Sequence, residues 1–409
     1  MIRGRGSVFR HLVILFSGFA IVLFFYQSIR NHNYENGNDL TSYLNSARWF
    51  FSGENPFTAP VRRYIYPLFL VIVSYPLSFL QANYWQRALA AATWSLVAYI
   101  AFFWTIFASW NIIYGARPVW GWLKGNLFPP ALMILLLHPF LQDEFLNGQV
   151  NLFLVGSLAG YFFMLQRDRQ FSAGLFLAIA AALKVAPALC LIFVIFTRQY
   201  RVIPYFIILF FLFVIGIPYA INDQSIAYYG YFVSEVLPSI TTSDFEHGYG
   251  QYSILSTVSY AFNIHWNPLV KIGAICIVAA ALLAPVIAVG WKSYCHAGNY
   301  FRLALFAAIM PVIPLTFPMS EAHHLLILTM PLVVIIAYWQ RLVEKGKAIF
   351  KDRLLLLFAS SMVLLHLGHA IKPAPLRLMG LLGLYLGMVH LLRSLSRSVA
   401  TEPAQRGFR

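Results

Sequence analysis

Charged side chains are scarce in this sequence, and acidic side chains are the scarcest. Only 11% of the 409 residues are charged, with 14 Asp and Glu against 29 Lys and Arg, whereas a soluble domain averages about 25% charged residues. A water-soluble globule is therefore excluded. Hydrophobic residues make up 60% of the chain, and they gather in stretches close to the ~20 residues that a membrane-spanning helix needs. Continuously apolar runs such as 203–214 lack the alternation of a transmembrane barrel.

Cysteine is also rare. Cys190, Cys276 and Cys295 form no CxxC pair and no even-numbered set, which excludes a disulfide framework and indicates small packing residues. The sequence shows no dedicated set of cation ligands, so we expect neither a metal nor another cofactor. In a membrane protein, a net charge of +15 indicates orientation and lipid contact first. No nucleic-acid partner is expected.

Hydropathy predicts an all-α polytopic membrane protein with about ten to twelve transmembrane helices. Residues 1–400 are expected to form a single transmembrane domain, and residues 401–409 a disordered tail. The basic N-terminus followed by residues 12–28 lacks a cleavage pattern, so it is interpreted as a retained first helix. The predicted apolar segments are 12–29, 64–81, 84–110, 127–141, 147–165, 171–196, 202–221, 268–290, 302–318, 322–340, 354–371 and 375–392.

Basic residues predict the orientation, because Lys and Arg concentrate in cytoplasmic loops. No Lys or Arg occurs between positions 202 and 270, so the long loop of residues 222–266 is expected outside. The first loop, residues 30–63, follows it there if the N-terminus is inside. The Asp143-Glu144 connection and the turn of residues 321–324 are exterior by the same test.

Two apolar segments disturb simple alternation across the membrane. Residues 64–81 contain Pro67 and Pro76, and residues 171–196 contain Lys184 and Pro187. Each set is a plausible break point, and broken helices at membrane depth survive only where protein or a cavity satisfies their backbone groups. Both segments are thus candidates for lining a site. Lys184 itself is interpreted first as a structural residue that snorkels towards water.

The first exterior loop contains one stretch with helical spacing of apolar residues. The spacing predicts a short helix on the outer membrane surface, with its apolar stripe in lipid. Asp39 stands at its start, where a carboxylate can act as a general base towards a hydroxyl. The alternative is that Asp39 or Asn38 is only the N-cap of this helix. The stripe consists of Leu40, Tyr43, Leu44, Ala47 and Phe51.

Four separated elements together resemble the polyprenol-phosphate-mannose-dependent mannosyltransferases of the GT87 family, membrane glycosyltransferases with the GT-C fold. They occur in the family's order and span nearly the whole chain. Leu68 and Phe57 depart from the family pattern, in which a second proline and a tyrosine are expected. The matching elements are Asp39-x-x-x-Tyr43-x-x-x-Ala47 with Gly53, Pro56 and Tyr66-Pro67; Gly148-Gln149-Val150-Asn151; Ala173-Gly174 leading to Ala180-Ala181-Ala182-Leu183-Lys184-x-x-Pro187; and His323-His324.

The resemblance implies an inverting transfer of a hexose, typically mannose, from a polyprenyl-phosphate carrier to an acceptor hydroxyl on the exterior face. The family role of general base falls on Asp39. A lipid-linked sugar donor, a glycolipid or glycan acceptor and membrane lipids are the expected partners. The expected location is a bacterial inner membrane, with the active site facing the periplasm.

Several further residues are candidates for binding the donor. His323 and His324 are candidates for the donor phosphate, since imidazole donates hydrogen bonds to phosphate oxygens and a helix begins beside them. Their alternative is a structural hydrogen bond at the membrane interface. Tyr43 belongs to the first matching element, while Gln149 and Asn151 are expected either to cap their helix or to bind sugar hydroxyls.

The acceptor candidates lie in the other exterior segments. Asp143 and Glu144 would position sugar hydroxyls or hold a cation, and the favoured alternative is a solvated acidic turn. Tyr249 and Gln251 belong to the long loop of residues 222–266, where tyrosines crowd a polar segment. These tyrosines suit stacking on a sugar ring or a lid, and their alternative is an interfacial tyrosine belt.

The main alternative to an enzyme is a multi-pass transporter or lipid flippase. A transporter typically places ionisable residues at mid-membrane and shows two related halves. Here the acidic residues lie in loops and the halves differ, which favours the glycosyltransferase.

Overall fold

A computed structural model gives the three-dimensional structure of the chain. All regular secondary structure in its described residues is helical, as the sequence predicted. The described residues are 2–32, 38–58, 64–115, 127–236, 252–264, 266–294, 297–317, 320–346, 351–371 and 374–401.

Eighteen helices are numbered here in chain order, with short 3₁₀ helices at Pro56–Thr58, Ala186–Ile192 and Ala322–Leu328. The first nine are α1 Ile2–His32, α2 Asp39–Phe51, α3 Leu68–Ser78, α4 Tyr84–Tyr114, α5 Phe128–Leu136, α6 His138–Asn147, α7 Asn151–Leu165, α8 Gln170–Leu183 and α9 Phe193–Thr197. The others are α10 Val202–Ile221, α11 Ser225–Tyr231, α12 Ile254–Phe262, α13 Pro268–Ser293, α14 Asn299–Ile309, α15 Val312–Thr316, α16 Thr329–Glu344, α17 Arg353–Ile371 and α18 Ala374–Thr401.

Membrane-spanning helices dominate the described part of the chain. Eight of its helical segments are long and apolar enough to cross a bilayer, or nine if the bent pair α6–α7 is one span. Three shorter apolar segments, α3, α8 and residues 186–197, correspond to the predicted segments 64–81 and 171–196. The polytopic helical class is therefore confirmed, and the chain is an integral membrane protein.

The predicted break at Lys184 interrupts a helical segment, whereas Pro76 lies inside the continuous helix α3 and does not break it. Helix α8 ends at Leu183, Lys184 is extended with φ −148° and ψ 134°, and a 3₁₀ helix follows. Helix α3 begins directly after Pro67. A second break was not predicted, because residues 127–141 were expected to form one helix. The chain instead breaks at Leu137, between α5 and α6. The bend of 116° lies further on, between α6 and α7.

The chain forms two compact units. The first unit comprises Met1–Ala108, Arg117–Leu191 and Tyr200–Phe245, and the second comprises Ser109–Ala116, Ile192–Gln199 and Glu246–Arg409. The expectation of a single domain over residues 1–400 stays a prediction. Thr401 is helical, and the rest of the predicted tail lies outside the described residues.

In the first unit, α1 packs on α5 and α6, α8 packs between α7 and α10, and α2 packs on α3. Leu40, Tyr43, Leu44 and Ala47 of α2 are fully buried in the protein core. The prediction of a helix here was right, but the prediction that its apolar stripe faces lipid was wrong. Other protein segments cover the stripe, so α2 is part of the unit's core.

In the second unit, α17 and α18 form a tightly packed pair that also contacts α13 and α14. Three glycines of α18 lie directly against α17. A Cβ at Gly380, Gly383 or Gly387 would come within 3 Å of Leu365, Ser361 or Phe358 respectively. Such small residues let membrane helices approach closely.

Candidate active site

The N-terminus of α2 is capped by residues other than Asp39. Asn38 Oδ1 accepts a hydrogen bond from the Thr41 backbone at 3.2 Å, and Thr41 Oγ1 accepts one from the Asn38 backbone at 3.2 Å. His32 at the end of α1 supports this cap, with Nδ1 3.1 Å from Asn38 Oδ1 and 2.9 Å from Thr41 Oγ1. Of the two sequence interpretations, capping therefore falls on Asn38, and the half-buried Asp39 carboxylate is left for other contacts.

The Asp39 carboxylate meets Gln149. Gln149 Nε2 donates a hydrogen bond to Asp39 Oδ2, which joins two residues that are 110 positions apart. The other end of the amide is also used, since Gln149 Oε1 accepts from the hydroxyls of Tyr43 at 3.2 Å and Tyr66 at 3.3 Å. Trp94 Nε1 donates to the Gln149 backbone carbonyl at 3.2 Å.

This network fixes the direction of the Gln149 amide. A carboxylate only accepts hydrogen bonds, so the amide NH₂ must face Asp39 and the amide oxygen must face the tyrosines. Burial raises the pKa of Tyr43 well above its usual value, and the nearby Tyr66 and Asp39 raise it further. Tyr43 therefore remains a protonated donor. Within this network, the Asp39 carboxylate accepts the hydrogen bond from the Gln149 amide.

Gly148 brings Gln149 close to α2. It ends α6 in the left-handed region, with φ +63°. A Cβ at this position would lie 2.6 Å from Leu40 Cβ and 3.3 Å from the Leu40 backbone nitrogen. Glycine is thus required for its conformation and for the close approach, which explains the Gly148-Gln149 pair noticed in the sequence.

Glu144 corrects one prediction. It was interpreted as part of a solvated acidic turn or an acceptor site, but it lies within α6 and is 1% exposed. Its Oε1 accepts from the Leu152 backbone at 3.0 Å and its Oε2 accepts from Asn151 Nδ2 at 2.8 Å. The carboxylate caps α7, where anions are favoured. Its neighbour Asp143 is half-buried and accepts from Asn147 Nδ2 at 3.0 Å.

Asn151 also differs from its predicted role as a cap. The N-cap position of α7 is Val150, which makes no side-chain cap. Asn151 instead links two charged residues, since it donates to Glu144 and its Oδ1 accepts from Lys184 Nζ at 2.8 Å. Binding of sugar hydroxyls by Gln149 and Asn151 stays a prediction, as does substrate binding by Tyr43, which is 1% exposed and acts through Gln149.

An apolar groove of about 540 Å³ lies beside this network in the first unit. Trp94 belongs to both, because it lines the groove and donates to the Gln149 carbonyl. Its volume is within the ~300–1,000 Å³ of typical ligand pockets. The groove is lined by Phe69, Leu70, Val73, Leu77, Thr93, Trp94, Val97, Ile100, Ala101, Trp104, Phe153, Gly156, Ser157, Phe176, Ile179 and Leu183.

The predicted histidine turn lies in the second unit, at the start of the 3₁₀ helix Ala322–Leu328. The Glu321 side chain caps this helix, and His324 Nδ1 accepts from the Glu321 backbone at 2.8 Å. His323 is buried, with Nε2 3.5 Å from Glu321 Oε2. The helix start near Glu321 is confirmed. A phosphate-binding role for either histidine, and their meeting with Asp39, stay predictions.

The long loop predicted for residues 222–266 contains helices. In α11, the Tyr228 hydroxyl donates to the Gly53 carbonyl at 2.7 Å, and the Tyr229 hydroxyl accepts from the Leu68 backbone at 3.0 Å. These two tyrosines dock α11 onto the segments flanking α2 and α3. Tyr249 and Gln251 lie outside the described residues.

The chain is a polytopic membrane protein with a positioned carboxylate beside an apolar groove. Residues 64–318 match the family model described as glycosyltransferase family 87, which covers more than half of the 409 residues. The chain belongs to glycosyltransferase family 87 and is a glycosyltransferase, as its resemblance implied. Asp39, Tyr43, His323 and His324 lie outside the matched residues.

Two solved structures are also similar. The crystal structure of ArnT from Cupriavidus metallidurans bound to undecaprenyl phosphate has a TM-score of 0.46 at 15% identity, covering 95% of this chain and 78% of that one. The apo structure of the same protein has a TM-score of 0.44 at 14% identity, covering 95% and 77% respectively. No curated protein matches the sequence.

Proposed function

We propose that this glycosyltransferase moves a hexose, with mannose as the expected sugar, from a polyprenyl-phosphate donor to a hydroxyl of a glycolipid or glycan. Asp39 is the general base, and the anomeric carbon is inverted. The observation that carries the proposal is the Asp39 carboxylate held by Gln149 beside an apolar groove.

The proposed reaction is a single displacement. Asp39 takes the proton of the acceptor hydroxyl as its oxygen forms a bond to the anomeric carbon. The bond from that carbon to the donor phosphate oxygen breaks, and its electron pair leaves with the polyprenyl phosphate. A positioned base contributes about 10²–10⁴-fold to such a step.

The hydrogen bonds around Gln149 support this role for Asp39. Tyr43 and Tyr66 orient the amide, and the amide orients the carboxylate. Because the cap of α2 is made by Asn38 and Thr41, the carboxylate is not used in the capping hydrogen bonds of its own helix. A side chain held by its neighbours is pre-organised for catalysis.

The groove supports a lipid-linked donor. A polyprenyl tail stays in the bilayer, so its enzyme needs an apolar surface that continues to the site of sugar transfer. Trp94 and Phe153 line the groove, their ring centres are 4.8 Å apart, and Trp94 lies 6.0 Å from the Tyr43 ring. The groove thus reaches the aromatic residues that surround Gln149.

The remaining partners and the location are proposed from the sequence. His323 and His324 are proposed to stabilise the departing phosphate, and Asp143, Tyr249 and Gln251 to contact the acceptor. The cation-free segment of residues 202–270 supports an exterior active site. We place the enzyme in a bacterial inner membrane, with this site towards the periplasm.

The test is a transfer assay with the purified full-length chain. Radiolabelled polyprenyl-phosphate-mannose is incubated with glycolipid acceptors, and the expected product carries mannose with the opposite anomeric configuration to the donor. Parallel assays use polyprenyl-phosphate-glucose and a nucleotide sugar. Transfer from the nucleotide sugar alone would contradict the proposed donor, and transfer of glucose alone would contradict only the sugar.

A further inference from the structure

We propose that Lys184 binds the phosphate of the lipid-linked donor. From the sequence, Lys184 is interpreted first as a structural residue. Its position in the first unit instead fits a residue that binds a ligand. The inference rests on the proposed function and deepens it, because it names the cation that would hold the phosphate next to Asp39.

Lys184 stands where the chain leaves α8. Its backbone is extended between Leu183 and the 3₁₀ helix that follows, so the side chain is presented by a helix break. Its Nζ donates to Asn151 Oδ1 at 2.8 Å and lies 5.3 Å from the centre of the Tyr66 ring. These two contacts aim the ammonium towards the residues around Gln149.

Lys184 directly follows a residue of the groove wall. Leu183, the residue before Lys184, lines the groove together with Trp94 and Phe153. Tyr66, which faces the ammonium, donates its hydroxyl to Gln149, and Gln149 donates to Asp39. The first unit therefore brings the apolar groove, the cation and the carboxylate together through neighbouring residues. A lipid-linked sugar carries a tail, a phosphate and a sugar, one for each of these three features.

Charge and solvation favour this assignment. A cation within an apolar segment is costly, and such residues typically mark a substrate or ion site. Asn151 stands between Lys184 and the buried Glu144, accepting from the ammonium and donating to the carboxylate. The Asn151 bond shows the ammonium donating to a side-chain oxygen, the same kind of contact that phosphate oxygens accept.

The experiment compares two lipids that share a tail. Purified wild-type chain is titrated with undecaprenyl phosphate and with undecaprenol, which lacks the phosphate, and the affinities are compared with those of Lys184→Met. We expect about a 10- to 100-fold weaker affinity of the variant for undecaprenyl phosphate, typical of a charged hydrogen bond. Its affinity for undecaprenol should not change. Lys184→Arg should retain most of the phosphate preference.

The controls separate binding from folding. Lys345→Met removes an exposed lysine of the second unit and should leave both affinities unchanged. Lys184→Gln keeps a hydrogen-bond donor for Asn151 but lacks the charge. If Lys184→Met does not fold, the two lipid affinities are compared in Lys184→Gln instead. A charge-free variant that keeps the wild-type preference for the phosphate, or that loses both lipids equally, would overturn the inference.

The proposed function is tested separately in the same preparation. If the wild-type chain transfers sugar from the polyprenyl-phosphate donor while the Lys184 variants bind undecaprenyl phosphate normally, only the inference about Lys184 fails. If the wild-type chain neither binds undecaprenyl phosphate nor transfers sugar from such a donor, the proposed donor fails, and the inference is overturned with it.

Discussion

The polar candidate residues Asp39 and His324 lie at the starts of two helices, and their hydrogen bonds differ. At α2, the capping box is made by Asn38 and Thr41, and Asp39 beside them bonds to Gln149. At the 3₁₀ helix of the second unit, Glu321 and His324 form the cap themselves. The side chain of each accepts a hydrogen bond from the backbone of the other. Both helix starts have polar residues. In the first unit the candidate carboxylate takes no part in the cap, and in the second unit the candidate histidine is part of it.

This difference predicts at which helix start a substitution should change turnover without changing stability. Where neighbouring residues cap the helix, the functional side chain can be changed without loosening the fold. Where the candidate residue is itself the cap, its substitution changes stability and chemistry together. Four predictions test this comparison.

Asp39→Asn should have the largest effect. The amide keeps the volume and still accepts from Gln149, but it cannot take a proton, so turnover should fall about 10²–10⁴-fold. The thermal midpoint of unfolding should hardly change, because Asn38 remains the cap. Initial rates of sugar transfer and thermal unfolding of the same preparation measure both.

The matched control is Asn38→Ala, which removes the cap and leaves the carboxylate. It should cost about 0.5–2 kcal/mol of stability and affect turnover less than Asp39→Asn does. Wild-type turnover in Asp39→Asn would reject Asp39 as the base, and a large loss of its stability would reject the separation of cap from chemistry.

Gln149→Leu should have the second largest effect. Leucine approximates the size of glutamine but removes the hydrogen bond to Asp39 and the two bonds from the hydroxyls of Tyr43 and Tyr66. We expect about a 10- to 100-fold loss in turnover, because the carboxylate loses a hydrogen bond that orients it and hydrogen bonds to charged groups contribute about 1.5–3 kcal/mol. Steady-state kinetics measure it. Tyr66→Phe, which removes one of these bonds, should lose less, and an equal loss would contradict the proposed network.

Gly148→Ala should act mainly on stability. The added methyl group meets Leu40 Cβ, and the residue has a positive φ, so the expected cost is about 2–4 kcal/mol. Gly115→Ala is the control, since Gly115 also has a positive φ but no neighbour within 4 Å of a Cβ. Thermal unfolding of both variants measures the contribution of close contact. Equal destabilisation would show that the approach to α2 does not require glycine.

The sequence predicted the helices of this fold well, because hydropathy and helical spacing are local properties. It also predicted the helix break at Lys184, but Pro76, predicted as a break point beside Pro67, lies inside α3. The sequence could not show what covers an apolar stripe, so α2 was placed against lipid instead of the protein core. For the same reason Glu144 was interpreted as solvated, although it caps α7 from within. The bond between Asp39 and Gln149 spans 110 positions, and spacing alone does not reveal such a contact.

His324→Ala should have the smallest effect on the fold, and it tests the second region of the comparison. It removes the acceptor for the Glu321 backbone, so about 1 kcal/mol of stability should be lost. Glutamine at this position of a capping box also accepts from the cap backbone. His324→Gln should therefore recover most of that stability while lacking the imidazole. Thermal unfolding of the two variants measures the cap.

Sugar transfer by His324→Gln then isolates the chemical role of the ring. Reduced turnover at near wild-type stability would support the proposed contact with the departing phosphate, whereas full turnover would confine His324 to the cap. His323→Gln provides the comparison, because His323 is buried and lies 3.5 Å from Glu321 Oε2. If only His324→Gln loses turnover, the half-exposed histidine is the one that reaches the donor, since residues of a 3₁₀ helix project about 120° apart.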